Sequence, residues 1–188
     1  MYDKRIEKTR SLIKTSFLEL SKSIPAEKIT VKAICEKANI NRGTFYYHYL
    51  DVPDLIEKLG TDAAKRIAGV ILGRYQFDGQ TEDLLNDLFQ CLRAFPEDAW
   101  LLFGVGCSSA QKGLDELYKI IKTKAMPQWK AKSHLTDAQL EVIFNHTMNS
   151  IFNLLRLWLS GSVNMEETQF KELYGNIILN GIYTYIYR

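Results

Sequence analysis

The sequence predicts an all-α protein, and three observations favour this fold class. Apolar residues recur at the three- and four-residue spacing of amphipathic helices, and no long alternation of apolar and polar residues indicates a strand. Only four prolines interrupt the 188 residues, of which 46% are hydrophobic, enough to bury a core. We predict about nine helices in total, three in a domain over residues 1–50 and the others in a helical bundle over residues 51–188.

The first helix is expected over residues 3–23, where one face is apolar and the lysines lie largely off it. The apolar positions of this face are Ile6, Ile13, Phe17, Leu20 and Ile24. They are expected to cover the next two helices and complete a three-helix core. Solubility remains open as an explanation for the lysines, and contact with phosphates by Lys4, Lys8 or Arg10 is the alternative. Residues 23–28, with Pro25, predict a connecting loop.

Two short helices follow, each introduced by a capping residue. Thr30 is placed to cap the second helix, whose apolar residues recur at i, i+3, i+4 and i+7, and residues 38–40 end it. Asn41 is placed to cap a third helix, in which Phe45 and Tyr49 point inward because they are four residues apart. Two short helices joined by a tight turn predict a helix-turn-helix.

The outward face of the third helix is unusual for a solvated surface. Lysine and glutamate are expected there, but the face carries hydroxyl, aromatic and imidazole groups, which indicates a surface that meets a partner. Its residues are Arg42, Gly43, Thr44, Tyr46, Tyr47 and His48.

Residues 1–50 contain ten Lys and Arg against five Asp and Glu, net +5, and the remaining 138 residues have a net charge of −3. A positive lobe suits a phosphate backbone, although a solvated surface also explains it.

The motif T-V-x-x-I-x-x-x-A-x-I-x-R-G-T-F-Y-Y-H-Y over residues 30–49, followed by an acidic helix start that contains leucine, resembles TetR-type transcriptional repressors. The resemblance covers residues 8–59. It implies a regulator that binds a double-stranded DNA operator and is not an enzyme. The chain itself does not distinguish a repressor from an activator.

Geometry and the resemblance together assign roles to the matching positions. Arg42 is expected to fork to guanine O6 and N7, and Tyr47 to lay its ring against a thymine methyl. Tyr46 and His48 match the phosphate-binding positions of the family, with packing beneath the core as the alternative. The expected DNA-binding residues are Thr30, Lys32, Arg42, Gly43, Thr44, Tyr46, Tyr47 and His48.

One position departs from the family pattern. Family members usually carry a lysine three residues before the leucine of the next helix, and this chain has Val52 there. A phosphate-directed lysine is therefore absent. A second functional class also stays open, in which the chain is a helical protein-interaction module and the face from Arg42 to Tyr49 binds a protein partner.

The rest of the chain predicts six further helices. Asp51 is placed to cap the first of them, Pro53 suits its first turn, and Pro127 is expected to end the fourth. We expect breaks over residues 73–79 and a loop over residues 128–135. The predicted helices cover residues 54–72, 81–96, 97–103, 108–124, 136–160 and 164–187.

The last two helices are expected to form a dimer interface. The final helix is apolar nearly all round, and residues 151–178 resemble one TetR subgroup, with Trp158, Leu159 and Gly161 before that helix. Family members dimerise through a four-helix bundle, which implies a homodimer on a pseudo-palindromic operator; an intrachain core is the competing account. The expected interface residues are Ile151, Leu155, Trp158, Phe170, Leu173, Ile177 and Ile178.

The resemblance also implies a small-molecule effector pocket in the C-terminal helices. The best polar constellation is His146, Asn149 and Asn153, with a solvated stripe or an interface network as alternatives. The candidate lining residues are Phe89, Phe103, Cys107, Tyr118, Trp129, His146, Asn149, Phe152 and Asn153. Core packing is the alternative role for each of them.

Other classes find little support in the sequence. The three histidines show no pair at metal-ligand spacing, and there is no glycine-rich phosphate loop or nucleophile elbow, so we expect no enzyme, metal or cofactor. Cys35, Cys91 and Cys107 are unclustered in apolar patterns, which predicts reduced core residues. No signal peptide follows Met1 and the apolar runs are short, so we expect a cytoplasmic protein without a membrane partner.

Overall fold

A computed structural model describes residues 4–74, 81–177 and 181. Within these residues the chain is helical and contains no strand, as predicted. The helices are α1 (Lys4–Ser21), α2 (Val31–Ala38), α3 (Arg42–His48), α4 (Val52–Arg74), α5 (Thr81–Ala94), α6 (Pro96–Ala99), α7 (Gln111–Lys132), α8 (Asp137–Leu159) and α9 (Glu167–Ile177).

Helices α1, α2 and α3 form the head of the molecule. α1 packs on α2, and α2 packs on α3. Ile13 and Phe17 of α1, Ile34 of α2 and Phe45 of α3 have no exposed surface. The predicted three-helix core is therefore formed by the residues that the helical periodicity placed on inward faces.

Helix α4 connects the head to the body, which comprises α5 to α9. Asp51 Oδ1 accepts a hydrogen bond from the Asp54 backbone N–H at 2.7 Å, so the predicted cap is present. The helix packs most extensively on α7, and the two cross at Gly60 and Gly113. A Cβ atom at Gly113 would lie only 2.9 Å from the Gly60 carbonyl carbon, so glycine is what allows this close approach.

The segment after α5 is helical, as predicted, but its backbone hydrogen bonds change from the α-helical to the π-helical pattern. α6 runs directly into one turn of π-helix over Trp100–Gly104, where the Val105 backbone N–H donates to the Trp100 carbonyl at 3.0 Å. Such turns are rare and frequently lie at functional positions. A 3₁₀ turn over Ser108–Ala110 leads into α7.

The prediction that Pro127 ends its helix is wrong. α7 continues through Pro127 to Lys132, and residues 128–132 are not a loop. Pro127 is exposed, so its ring disturbs only the solvent side of the helix. Trp129, in the following turn, is buried against Phe144 with ring centroids 5.6 Å apart, and burial of this indole favours continued helix.

Three other predicted boundaries either differ from those in the structure or fall partly outside the described residues. α9 begins at Glu167, not at residue 164 or 165. The predicted break over residues 73–79 is helical to Arg74, and the remainder lies outside the described residues. Of the last predicted helix, residues 178–180 and 182–188 also lie outside them.

One cluster of buried apolar residues extends from Ile13 in α1 to Tyr174 in α9, so head and body share a continuous core. Cys35 and Cys91 are buried in it and Cys107 is half-buried, and none of these three described cysteines forms a disulfide. In the described ranges no helix has the length and apolar character to cross a membrane. The same ranges hold no group of three metal-ligating side chains.

Candidate nucleic-acid interface

Helix α3 is oriented by its N-cap. The Asn41 side chain accepts hydrogen bonds at Oδ1 from the Thr44 backbone N–H at 2.7 Å and from the Thr44 hydroxyl at 2.9 Å. Asn39, with φ of 52°, makes the preceding turn. A Cβ atom at Gly43 would lie 3.3 Å from Asn41 Oδ1, so a larger residue there would press on the cap. The glycine thus has a local reason besides approach to a partner.

The two faces of α3 differ as predicted. Phe45 and Tyr49 are buried, with 0% and 1% exposure, and anchor the helix in the head. Tyr46 and Tyr47 are 54% and 74% exposed. The exposed aromatic surface predicted for α3 is therefore present in the structure.

The remaining positions of the predicted face divide into two groups. Arg42 and Gly43 are exposed, and Thr44 and His48 are half-buried. His48 lies edge-on to the Tyr47 ring, with centroids 5.1 Å apart. Burial lowers the pKa of His48, and the positive charge of Arg10 lowers it further. The lowered pKa favours the uncharged imidazole at neutral pH.

Helix α2 contributes to the same surface. The Thr30 hydroxyl accepts a hydrogen bond from the Ala33 backbone N–H at 3.2 Å and is exposed. Lys32 is 67% exposed and lies 3.8 Å from the Glu36 carboxylate. A groove of about 440 Å³ between α2 and α3 is lined by Lys32, Glu36 and Arg42 among others. It brings predicted residues from both helices together.

A second groove of about 440 Å³ lies between the start of α1 and α3. Its α3 side includes positions of the predicted face. Its α1 side is formed by side chains that the sequence interpretation did not assign to the site. The lining residues are Arg5, Ile6, Thr9, Asn41, Gly43, Thr44, Tyr47 and His48. The available signal was the spacing of Arg5 and Thr9, one helical turn apart.

The turn from α3 to α4 lacks a free cation where the family resemblance expects one. Val52 is 7% exposed and belongs to the core, and Leu50, two residues earlier, is 77% exposed. Lys58 Nζ lies 2.9 Å from Asp54 Oδ2, which also accepts from the Leu50 backbone N–H. Burial pushes the pKa of Asp54 upward, but these two hydrogen bonds and the positive charges of Lys58 and Lys112 together outweigh it, and the pKa is lowered. The turn is thus acidic and apolar.

The residues predicted for a dimer interface do not form one outward surface. Ile151, Leu155 and Phe170 are buried by the chain itself, which is the competing intrachain account. Trp158 is half-buried and donates from Nε1 to the Met165 carbonyl at 2.8 Å. Leu173 and Ile177, in contrast, are 54% and 52% exposed. Ile178 lies outside the described residues.

The candidates for an effector pocket fall into separate places. His146, Asn149 and Asn153 are exposed on α8 and do not face inward, which agrees with either a solvated stripe or an interface network. Most of the aromatic candidates pack in different parts of the core, and Cys107 is half-buried. The ring pairs are Phe89 with Trp158, Phe103 with Phe152, Tyr118 with Phe144, and Trp129 with Phe144. The locations of these side chains depend on packing between helices, which the helical period alone does not reveal.

Comparison with known proteins gives the fold a name. No family model and no curated protein sequence matches the chain. Among solved structures, the fatty acid degradation regulator FadR from Bacillus halodurans superposes with a TM-score of 0.72 at 13% identity, covering 92% of this chain and 95% of that one. A TetR transcriptional regulator from Streptococcus agalactiae gives 0.67 at 21% identity, covering 99% and 97%.

A third similar structure is the dihydroxyacetone kinase operon activator DhaS, with a TM-score of 0.60 at 18% identity and coverage of 95% and 96%. Further matches are TetR-family regulators. The chain therefore has the all-α fold of TetR-type transcription regulators along nearly its whole length. At these identities the likeness establishes the fold and leaves the activity to be argued from the site.

Proposed function

We propose that the protein is a transcription regulator that binds a double-stranded DNA operator through α2 and α3. The observation that carries this proposal is the outward face of α3, where Arg42, Tyr46 and Tyr47 are exposed on a helix anchored by Phe45 and Tyr49. An arginine at the start of such a helix suits bidentate contact with guanine in the major groove. The aromatic rings offer contact to thymine methyls and phosphates.

We further propose that the regulator acts as a homodimer. One α3 helix reads only a few base pairs, so two copies are needed to select a pseudo-palindromic site. Leu173 and Ile177 support an interface on α9, because they are exposed, apolar and four residues apart on one face. The exposed stripe of α8, with Val142 at 69% exposure, is the other half of this proposed surface.

Finally, we propose that a small-molecule effector binds in the body and shifts the position of the head. The segment α6 with its π-turn supports it, because it contacts both regions. Trp100 Nε1 donates to Ser21 Oγ of α1 at 2.9 Å, and Phe103 packs on Phe152 of α8 at 5.7 Å. A ligand that binds the body more tightly in one position of this segment shifts the head. Repression follows if the effector releases DNA, and activation follows if it favours binding.

The DNA proposal is tested by binding of the purified protein to a mixed-sequence duplex between 50 and 200 mM salt. Several phosphate contacts predict a steep loss of affinity across this range. Arg42→Ala should weaken binding to a preferred sequence by about 1–3 kcal/mol and relax selection at one base pair of each half-site. The matched control is Lys124→Ala, which removes an exposed cation from α7. A flat salt response would favour the protein-docking alternative for this face.

The dimer proposal is tested by sedimentation of Ile177→Asp. A buried carboxylate at the interface should yield monomers, because an unpaired charge is costly to desolvate. Leu12→Asp is the control, since Leu12 is also an exposed apolar residue, at 42%, but lies on α1. A dimer that survives Ile177→Asp would move the interface away from α9.

A further inference from the structure

We propose that the groove between α1 and α3 clamps a phosphate of the DNA backbone, with Arg5 as its cation. This inference rests on the proposed operator-binding function and specifies where the protein grips the strand. The sequence left phosphate contact open for the basic residues of α1, and the inference narrows that contact to one groove and to Arg5. The groove has a volume of about 440 Å³, open to solvent beside the exposed face of α3.

The chemistry of the lining suits an anion. Arg5 supplies guanidinium donors in a planar fork that matches phosphate oxygens. Asn41 Oδ1 is occupied by the two bonds from Thr44, so the amide nitrogen of the same side chain is its donor end. Tyr47, which also lines the groove, carries a hydroxyl that can donate a hydrogen bond. Of the lining residues in the described part of the chain, none is acidic.

The neighbouring groove provides a comparison within the same surface. The groove between α2 and α3 also has a volume of about 440 Å³, but Glu36 lines it together with Lys32 and Arg42. A carboxylate there repels a phosphate and disfavours tight anion binding. Both grooves therefore have a net charge of +1 from their lining side chains, but only the α1–α3 groove has no lining carboxylate that repels a phosphate.

The distribution of charge along the head points to the same groove. Residues 4–11 contain four Lys and Arg against one Glu, whereas residues 50–54, in the turn after α3, contain two Asp and no Lys or Arg. The position that would hold a phosphate-directed lysine is Val52, which is buried. The cationic anchor thus lies on α1, beside α3, and not in the segment that follows α3.

A positive charge on α1 already affects a side chain of α3 in the protein without DNA. After burial, the positive charge of Arg10 is the second cause that lowers the pKa of His48, which lines the groove. Arg10 lies 3.7 Å from Asp62 of α4, the carboxylate that partly offsets its charge. The Thr9 hydroxyl donates to the Arg5 carbonyl at 2.9 Å, so its proton is held by the backbone of α1.

The first test is the salt dependence of duplex binding by Arg5→Gln. Loss of one phosphate contact should reduce the slope of log affinity against log salt by about 1 and weaken binding roughly fivefold at 0.15 M salt. The reduction should be equal on a preferred and an unrelated duplex, because a phosphate carries no sequence information. Lys124→Gln, with the same charge change on α7, should leave the slope unchanged.

A second variant places a carboxylate in the groove. Thr9→Glu should weaken duplex binding more than Arg5→Gln does, because it repels the phosphate in addition to competing for Arg5. Thr15→Glu is the matched control, an exposed threonine of the same helix outside the groove. Thermal unfolding of both variants verifies that the head remains folded.

The outcomes separate the clamp from the function on which it rests. If the parent protein does not bind duplex DNA, the proposed function fails. If Arg42→Ala relaxes sequence selection while Arg5→Gln matches Lys124→Gln in slope and affinity, the function stands and the clamp is wrong. If Arg5→Gln changes sequence preference, Arg5 contacts a base and the phosphate assignment is wrong.

Discussion

Helices α3 and α8 both turn uncharged polar side chains to solvent, but they are held in place differently. α3 has 7 residues, and its orientation follows from the Asn41 cap and from Phe45 and Tyr49 in the head core. α8 has 23 residues and starts with a capping box formed by Thr136 and Gln139. Its position depends on distant elements, α7 and the π-turn. The head therefore presents a surface fixed by local contacts, whereas the body is assembled by long-range packing.

Polar contacts join these two regions. Asp98 of α6 is 3% exposed and accepts hydrogen bonds from Arg66 Nε and Nη2 of α4 at 2.6 and 2.8 Å. Lys14 of α1 reaches the same carboxylate at 3.4 Å. Trp100 and Ser21 make a second polar contact between π-turn and head. A buried carboxylate with partners on α1 and α4 ties the head to the body more specifically than apolar contact does.

The largest predicted effect comes from breaking this junction. Asp98→Ala should lower the free energy of unfolding by about 2–4 kcal/mol, because it removes the charged hydrogen bonds from Arg66, which is 44% exposed, and leaves Lys14 with Glu97 alone. Glu97→Ala is the control: Glu97 also pairs with Lys14, at 2.9 Å, but its side chain is 56% exposed, and the cost should stay below about 1 kcal/mol. Urea unfolding measures both. Equal losses would mean that Asp98 does not hold the two regions together.

The same carboxylate predicts a pH dependence. Burial pushes the pKa of Asp98 upward, but hydrogen bonds from Arg66 and the charge of Lys14 outweigh it, and the pKa is lowered. Its stabilisation is therefore complete above the unfolded value of about 3.9 and is lost as the pH falls through the folded value. On acidification below about pH 4, the parent should lose stability more steeply than Asp98→Asn. Parallel curves would contradict this assignment.

The close crossing of α4 and α7 gives the next largest effect. Gly113→Ala should cost about 1–3 kcal/mol, because its Cβ would lie 2.9 Å from both Gly60 C and Leu102 Cδ2. Gly69→Ala, on α4 with nothing within 4 Å of the added Cβ, should stabilise by up to about 1 kcal/mol. Opposite signs in thermal unfolding are the expected result. A neutral Gly113→Ala would show that the crossing is loosely packed.

Two cap substitutions compare the regions directly. Asn41→Ala and Thr136→Ala should each reduce stability by about 1 kcal/mol, since each removes an N-cap hydrogen bond. Only Asn41→Ala should weaken duplex binding, because it releases α3 and removes a groove residue. Calorimetry and duplex titration measure the two quantities. Equal effects on binding would mean that α3 is not oriented by its own cap.

The smallest predicted effect is that of removing the Tyr46 hydroxyl. Tyr46→Phe removes a polar group that is exposed in the free protein, so stability should be unchanged. Duplex affinity should fall by about 0.5–1.5 kcal/mol on every sequence if the hydroxyl meets a phosphate. Titration of two unrelated duplexes measures this. A change in sequence preference would make Tyr46 a base contact.

Local chemistry explains which features could be predicted from the sequence. The caps at Thr30 and Asn41 and the burial of Phe45 and Tyr49 depend on residues a few positions apart, so periodicity and cap preference were sufficient. The continuation of α7 through Pro127 could not be predicted, because it depends on burial of a side chain against another helix. Propensity is a weak prior when tertiary contacts are strong.

The candidate sites follow the same division. The outward face of α3 was predicted, but the part that α1 plays in the groove requires the packing of two helices that are distant in sequence. On α8, apolar residues occupy much of the circumference, so the sequence did not reveal which side meets solvent. The exposure of His146 and Asn149 followed only from the positions of α7 and the π-turn.

The central claim is that the outward face of α3 reads duplex DNA. Its most direct test is selection of bound duplexes from a random pool by the purified protein, with binding repeated at two salt concentrations. We expect an enriched inverted repeat and a steep fall in affinity at the higher salt. No enrichment together with weak salt dependence would contradict the claim and leave the face from Arg42 to Tyr49 as a protein-docking surface.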